Sequence, residues 1–409
     1  MKVLHLSTTD YGGAYEAAQR ISDSLVDYGV ESVVLVRTKA GDTPSVPFFD
    51  SLPQKFLSKT KNFFNLLISD GDVVFDKYGA DICGHPLVME ADVICLHWVN
   101  SFISNREVTN ILAMGKPVYW IMHDMWPFTG GCHYAGDCDQ YRHDCGQCPM
   151  AGAGKKKAVS YWQGCKQKCF QGDNLYPVGP SRWISRCAGE STIFGDKEIT
   201  TIPNPINTEA FCPLHEEKRR GIIKKYGLSE RKVTILFAAV KVNNPLKGFS
   251  YFSDAVNQLS PEKYQILMLG ESKEEETLRQ TLRLDVRFTG FVKGAEKLCG
   301  IYNAADLLAA PSLQENYSNT VLEALSCGTP AVVFDVGGMC DLVETGVNGY
   351  LARLRDAEEL CRGIEETAVN RQELGRAARE RVLEKNAFAV VAKEYMSMFA
   401  AHGARQGRT

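Results

Sequence analysis

The stretch Pro311-Ser312-Leu313-Gln314-Glu315-Asn316-Tyr317-Ser318-Asn319-Thr320-Val321-Leu322-Glu323-Ala324 decides how this chain is read. The apolar run 306–310 before it predicts a strand that ends at the proline. A polar loop and a short helix follow, and the helix stops at Cys327-Gly328-Thr329-Pro330 before a second apolar strand at 331–334. A loop-to-helix junction at the carboxyl end of a strand is where open α/β sheets bind ligands. The helix start offers free N–H groups and a positive dipole end to an anion. Acids beside it suit a sugar, because a carboxylate accepts from two vicinal hydroxyls. Glu315 lies before the helix, in the loop, where function concentrates. Glu323 keeps two readings: Thr320-Val321-Leu322-Glu323 also spells a capping box, in which its carboxylate would only satisfy a backbone N–H.

The same alternation extends outward in both directions. The second half predicts strands at 233–240, 265–269, 287–289, 306–310 and 331–334 with helices between them, then helices at 357–369, 372–384 and 387–400. The first half opens with a strand at 3–6, a loop through Gly12-Gly13 and a helix at 14–28. Further strands are expected at 32–37, 92–97, 118–122 and 175–178, with a helix at 103–114. Strands alternating with helices imply parallel, doubly wound sheets. The expected fold class is therefore α/β, with two Rossmann-like domains facing across a cleft, and such clefts are preferred small-molecule sites. The Pro- and Asn-rich segment 202–207 reads as the linker. The expected boundaries are 1–205, with a Cys-rich insertion at 130–170, then 206–385, with a last helix at 386–402 returning to the first domain.

Composition narrows the partners. The 409 residues suffice for two or three domains, and 44% hydrophobic with 23% charged residues is ordinary for a soluble globular protein. A net charge of −3 gives no overall pull towards nucleic acid. The opening Met1-Lys2-Val3-Leu4-His5-Leu6-Ser7 turns polar too quickly for a signal peptide, and no apolar run approaches the roughly 20 residues of a spanning helix. A cytoplasmic protein is expected, with the inner face of the membrane as a further location. Fourteen cysteines then read as thiols or metal ligands rather than disulfides.

Several short markers occur in order: Gly12-Gly13 after the first strand, His123-Asp124 after a central strand, Ile202-Pro203-Asn204-Pro205, Lys247-Gly248, Glu315 with Glu323, Cys327-Gly328-Thr329-Pro330, and Gly337-Gly338. Together they resemble a GT-B glycosyltransferase of retaining family 4. The run His123 to Tyr134 further resembles a bacterial branch that builds surface polysaccharides. The resemblance implies a nucleotide-diphosphate sugar donor and a glycan or polyprenyl-diphosphate-linked acceptor. It implies donor contacts at Gly12, Gly13, Lys241, Lys247, Glu315, Asn316, Tyr317, Ser318, Asn319, Thr320 and Glu323. His123, Lys247 and Glu315 would be catalytic, and His97 and Asp124 would face the acceptor. The sequence departs from the family at Asn316, where a glycine is common, and at Lys241, which replaces an arginine at a different spacing. Catalysis would rest on positioning and on stabilising the leaving diphosphate. No divalent metal is expected in catalysis, and the pairs Asp70/Asp72 and Asp137/Asp139 read as decoys.

Two features lie outside that frame. Cys132, Cys138, Cys145 and Cys148 fall within seventeen residues and could close a structural zinc site; free thiols, disulfides or a cluster are the other readings. The stretch 151–170 holds five lysines and no acid, and 52–68 mixes Lys55, Lys59 and Lys61 with seven Phe and Leu residues. Each reads either as a charged face over a core helix or as peripheral contact with an anionic membrane. An epimerase or phosphorylase on the same fold, and a non-catalytic zinc-stabilised scaffold, are the rival functions.

Overall fold

The computed structural model describes residues 1–406 apart from 153, 243 and 272–274, with side chains as far as His402. The chain divides into two units: Met1–Pro205 with Phe388–Thr409, and Ile206–Ala387.

In the first unit seven strands form one parallel sheet: β1 (Lys2–Ser7), β2 (Glu31–Val36), β3 (Val46–Pro47), β4 (Val93–Leu96), β5 (Val118–Ile121), β6 (Leu175–Gly179) and β7 (Thr200–Thr201). Their order is β3-β2-β1-β4-β5-β6-β7. The central strands are mainly apolar, with His5 in β1 a buried exception, because helices cover both faces, as a parallel sheet requires. On one side Ile21 and Leu25 of the Gly13–Asp27 helix pack with Val391, Tyr395 and Phe399 of the Phe388–Gln406 helix. The last helix is thus part of the first unit's core.

The second unit repeats the plan with β8 (Val233–Lys241), β9 (Tyr264–Glu271), β10 (Asp285–Gly290), β11 (Leu307–Ala310), β12 (Ala331–Phe334) and β13 (Gly349–Ala352), in the order β10-β9-β8-β11-β12-β13. In both sheets the strand order reverses once, between β1 and β4 and between β8 and β11. The loops that leave the carboxyl ends of those strands diverge there, and a crevice opens.

Four expectations need correction. The helices expected at 357–369 and 372–384 are one helix, Ala357–Lys385. Asn370 does not break it, because Leu360, Ile364, Ala368, Ala378 and Val382 on either side are buried in the cores of this unit. A further strand follows the one expected at 331–334: Gly349–Ala352 pairs with β12 as the edge strand. The insertion expected only as Cys-rich contains a helix, Lys156–Cys169. Its inward stripe is Val159, Gln163 and Lys166, and two polar residues on that stripe hide the helical period. Finally, Leu52–Ile68 is a helix that buries only Ser58 and Asn65, so it is not a charged face over an apolar one.

Candidate functional site

At the switch point of the second sheet, β8 runs into a short turn at Pro245–Lys247, and Gly248 follows with φ 70°. That left-handed conformation favours glycine. Space imposes the same choice, since a Cβ at Gly248 would stand 1.9 Å from the carbonyl oxygen of Pro311. The turn therefore lies directly on the loop that leaves β11, and Leu313 N–H donates to the Leu246 carbonyl at 2.8 Å. This contact sets Lys247 opposite Glu315, and Lys247 Nζ lies 2.8 Å from Glu315 Oε2. The pair is only partly buried, with the lysine side chain 35% and the glutamate 15% exposed. A phosphate could compete for this ammonium, and hydroxyls for the carboxylate.

The helix that follows is Asn319–Ser326, and its cap is Ser318, whose hydroxyl accepts from Val321 N–H. Thr320 therefore lies inside the helix, and the capping-box reading of Glu323 falls. Glu323 is buried and accepts from the Tyr302 hydroxyl at 2.7 Å. Tyr302 was not legible as a site residue: it reads as one more apolar-helix aromatic, and only the fold brings it to Glu323. Tyr317 is turned into the core, where its hydroxyl accepts from Asn386 Nδ2 at 2.7 Å. Asn316 and Ser318 are buried, while Asn319 and Thr320 are part-exposed at the helix start. Lys241 ends β8 exposed, in register with Glu271. The structure thus brings together Lys247, Glu315 and the helix start, and places Lys241 on the strand's rim.

The switch point of the first sheet has a different lining. Gly12, with φ 88°, starts the Gly13–Asp27 helix without a side-chain cap. Before it, the Asp10 carboxylate accepts from Gly41 N–H at 2.8 Å and from Thr43 at 3.2 Å, which fixes the loop. Across β1, β4 and β5 runs a chain of imidazoles. His5 Nδ1 lies 2.9 Å from His97 Nε2, and His97 Nδ1 lies 2.8 Å from His123 Nε2. His5 and His97 are fully buried, and His123 reaches the surface in part. Burial pushes His5 down to about 3 and His123 down to about 4, and holds His97 well below the ordinary range. All three are neutral at pH 7, so each link is one donated and one accepted bond. His5 was missed from sequence. Its signal was a polar residue inside an otherwise apolar strand.

Asp124 serves two groups: one oxygen accepts from Trp126 N–H at 2.9 Å, the other lies 2.7 Å from His133 Nδ1. Burial lowers His133, yet the charge and hydrogen bond of Asp124 outweigh it and the net shift is upward. Behind them Lys166 is buried. Its ammonium donates to the Thr129 carbonyl at 3.1 Å and sits 3.4 Å over the Trp126 ring. Burial brings it down to about 7, and burial raises the enclosed carboxyl of Asp76 to about 6. Neither group belongs to a charged surface, so Lys166 leaves the basic stretch in which the sequence placed it.

Cys132, Cys138, Cys145 and Cys148 line one small cavity of about 10 Å³ together with Ala135, Gln140, Tyr141, Met150 and Val159. All fourteen cysteines are free thiols. Among the described residues no three His, Cys, Asp or Glu side chains stand arranged to hold a metal ion. Burial pushes Cys145 up to about 12 and Cys132 up to about 11.

Residues 232–370 match the family model described as Glycosyl transferases group 1. The chain is 26% identical over 214 residues to an uncharacterized glycosyltransferase of Methanocaldococcus jannaschii, covering 50% of this chain and 54% of that protein. It is 25% identical over 175 residues to the Escherichia coli UDP-Gal:alpha-D-GlcNAc-diphosphoundecaprenol alpha-1,3-galactosyltransferase, covering 41% and 44%. These matches span about half the length of the curated relatives. HepE of Anabaena, solved with UDP, superposes with a TM-score of 0.65 at 17% identity over 98% of this chain and all of that one. The fold is that of the GT-B glycosyltransferases.

Proposed function

We propose that this chain is a group 1 glycosyltransferase that moves a sugar from a nucleotide-diphosphate donor to a glycan or lipid-linked acceptor, with retention of configuration. The observation that carries the reading is the Lys247–Glu315 pair, held at the switch point of a sheet whose sequence matches that family. In this reading the donor diphosphate takes over Lys247, and the start of the Asn319–Ser326 helix turns its positive dipole end towards the same loop. Glu315, released from the lysine, accepts from hydroxyls of the donor sugar. The leaving diphosphate carries about two charges, and a fixed cation lowers the barrier by meeting that charge as it develops. No divalent metal is assigned a part in the transfer itself, so adding magnesium or manganese should leave turnover unchanged. The lipid-linked acceptor is suggested by the substrate named for the Escherichia coli relative.

The test is a thermal-shift screen of the purified protein with UDP-, GDP- and ADP-sugars, followed by turnover with the stabilising donor. Binding to the folded state raises the midpoint with the logarithm of ligand concentration over Kd, so the true donor separates from the rest. UDP-sugars are tried first because of the UDP in HepE. No shift with any nucleotide sugar would count against a transferase, and product formed from donor alone would favour an epimerase.

Zinc at the four-cysteine cavity is a separate proposal. One small cavity gathers all four thiols, and a bound dication would favour their thiolate forms. The side chains would have to rearrange to hold it. Metal analysis of the purified protein should find about one zinc per chain; none, with every thiol titratable in the native state, removes the proposal.

A further inference from the structure

The Leu52–Ile68 helix is built inside out. Its ends are well defined: Ser51 caps it, with the reciprocal bond from Gln54, and Pro53 occupies the first turn. Ser58 and Asn65, seven residues apart and so on one side at about 3.6 residues per turn, are its buried positions. Asn65 bonds the backbone of Tyr78 through both ends of its amide, at 2.8 and 3.0 Å. Lys61 donates to the Gly79 carbonyl at 2.6 Å. The helix is therefore anchored by polar bonds on its inner side. On the other side stand Leu52, Phe56, Phe63, Leu66 and Leu67, between 58% and 84% exposed, with Leu57 and Phe64 about half exposed beside them. A helix normally hides such a stripe, and contiguous exposed apolar surface of this kind marks an interface.

Charge says what the interface meets. The helix holds Lys55, Lys59 and Lys61 and no acid; Asp50, 3.9 Å from Lys55, and Asp70 stand just beyond its two ends. At its far end the second basic stretch joins it: Lys155 donates to the Ser69 carbonyl, and Gly152 N–H donates to Asp70 at 2.7 Å. Lys156 and Lys157 continue from there, with Lys157 exposed. Apolar residues outward, lysines along the flank and no acid is the pattern of a helix lying in an anionic lipid surface. A second copy of the chain fits less well, because a two-fold contact would set lysines against each other and the helix itself offers no carboxylate in return.

We infer that the Leu52–Ile68 face is a docking surface for an anionic lipid bilayer. Among the described residues no helix is long and apolar enough to cross a membrane, so this contact would be peripheral. The inference does not depend on the donor chemistry, because it is read without any sugar present. The experiment is flotation of the full chain with phosphatidylcholine vesicles, with and without phosphatidylglycerol. Binding to the anionic vesicles is expected, weakening as salt rises. The variant carrying F56E and F63E should lose it at least tenfold while its melting midpoint stays within a degree or two of wild type. The variant carrying K55Q and K59Q should lose about fivefold per lysine on the anionic vesicles only. Equal flotation of F56E/F63E and wild type overturns the inference. So does a concentration-dependent dimer in light scattering that the same substitutions abolish, which assigns the face to a second copy.

Discussion

The two sheets share one topology and line their switch points with opposite chemistry. Beside β8 and β11 the groups are charged, paired and part-exposed: Lys247 and Glu315 at 2.8 Å. Beside β1 and β4 they are neutral and buried, three imidazoles linked at 2.8 to 2.9 Å. The difference teaches what each half can do. An exposed ion pair is worth little to stability and can be exchanged for a ligand's charges at small cost. A buried imidazole chain cannot take up charge without loss of folding energy, so it can orient and hydrogen-bond but not serve as a cation at neutral pH. Topology fixed where both sites are; the residues at the strand ends fixed what they are.

The largest expected effect comes from breaking the charged side. Glu315→Gln keeps the size and removes the charge, and turnover should fall about a hundredfold or more, with the melting midpoint nearly unchanged. Lys247→Met should cost as much, and Lys247→Arg should restore only part, because the planar guanidinium does not reproduce a compact ammonium. Steady-state kinetics with the donor found by thermal shift reads all three. Turnover of E315Q within a few-fold of wild type would break the assignment of this pair to the donor.

Gly248→Ala sharpens the same comparison through the backbone. The φ of 70° and the 1.9 Å approach to Pro311 oxygen leave no room for a methyl group. A loss of about 1–3 kcal/mol is expected, seen as a lower urea midpoint at unchanged slope. Gly12→Ala has the same positive φ with nothing within 4 Å of its Cβ, so its cost should be smaller. Equal costs would show that strain alone, not the Pro311 contact, governs both.

These contrasts also mark what sequence could and could not convey. The strand–loop–helix alternation was legible because parallel strands are apolar runs and their helices are amphipathic, and the marker residues fell at strand ends where a sheet places its ligands. Lys247 and Glu315 lie 68 residues apart, yet each sits just past a strand, so their meeting followed from topology. Tyr302 and His5 did not follow, since nothing in the local pattern separates a buried tyrosine or histidine in a bond from one in plain packing. The helix at Lys156–Cys169 was hidden by Gln163 and Lys166, polar residues facing inward. In the Leu52–Ile68 helix it was the buried side that was misread, because its apolar residues face out. Periodicity finds a helix, but not which side of it the core lies on.

The neutral chain predicts a pH effect of definite sign. His5 and His123 have folded values of about 3 and 4, below the ordinary 6.5. Their contribution to stability is present above about 6.5 and is lost as pH falls towards 4, because the unfolded chain takes up protons first. Asp76, raised to about 6, works the other way below that pH, so the wild-type curve is a sum. His97→Asn can keep a hydrogen bond to a neighbour and removes one titrating group, and it should flatten the fall in melting midpoint between pH 6.5 and 4. An unchanged slope would mean that His97 is not among the groups resisting protonation.

The smallest expected effect has the opposite sign within the same unit. His133 is raised by Asp124 at 2.7 Å, against its burial. The stabilisation by the protonated pair is fully present below the unfolded value of about 6.5 and is lost as pH rises through the folded value. His133→Asn should therefore cost about 0.5–1 kcal/mol at pH 6, with side chains 23% and 12% exposed leaving the pair partly screened, and little at pH 9. Melting H133N and H97N side by side separates the two kinds of histidine: the H133N deficit shrinks as pH rises from 6 to 9, whereas the change caused by H97N lies below pH 6.5. If both variants respond in the same direction, the carboxylate of Asp124 does not hold a charged histidine, and the first sheet's site is neutral from the imidazole chain out to its rim.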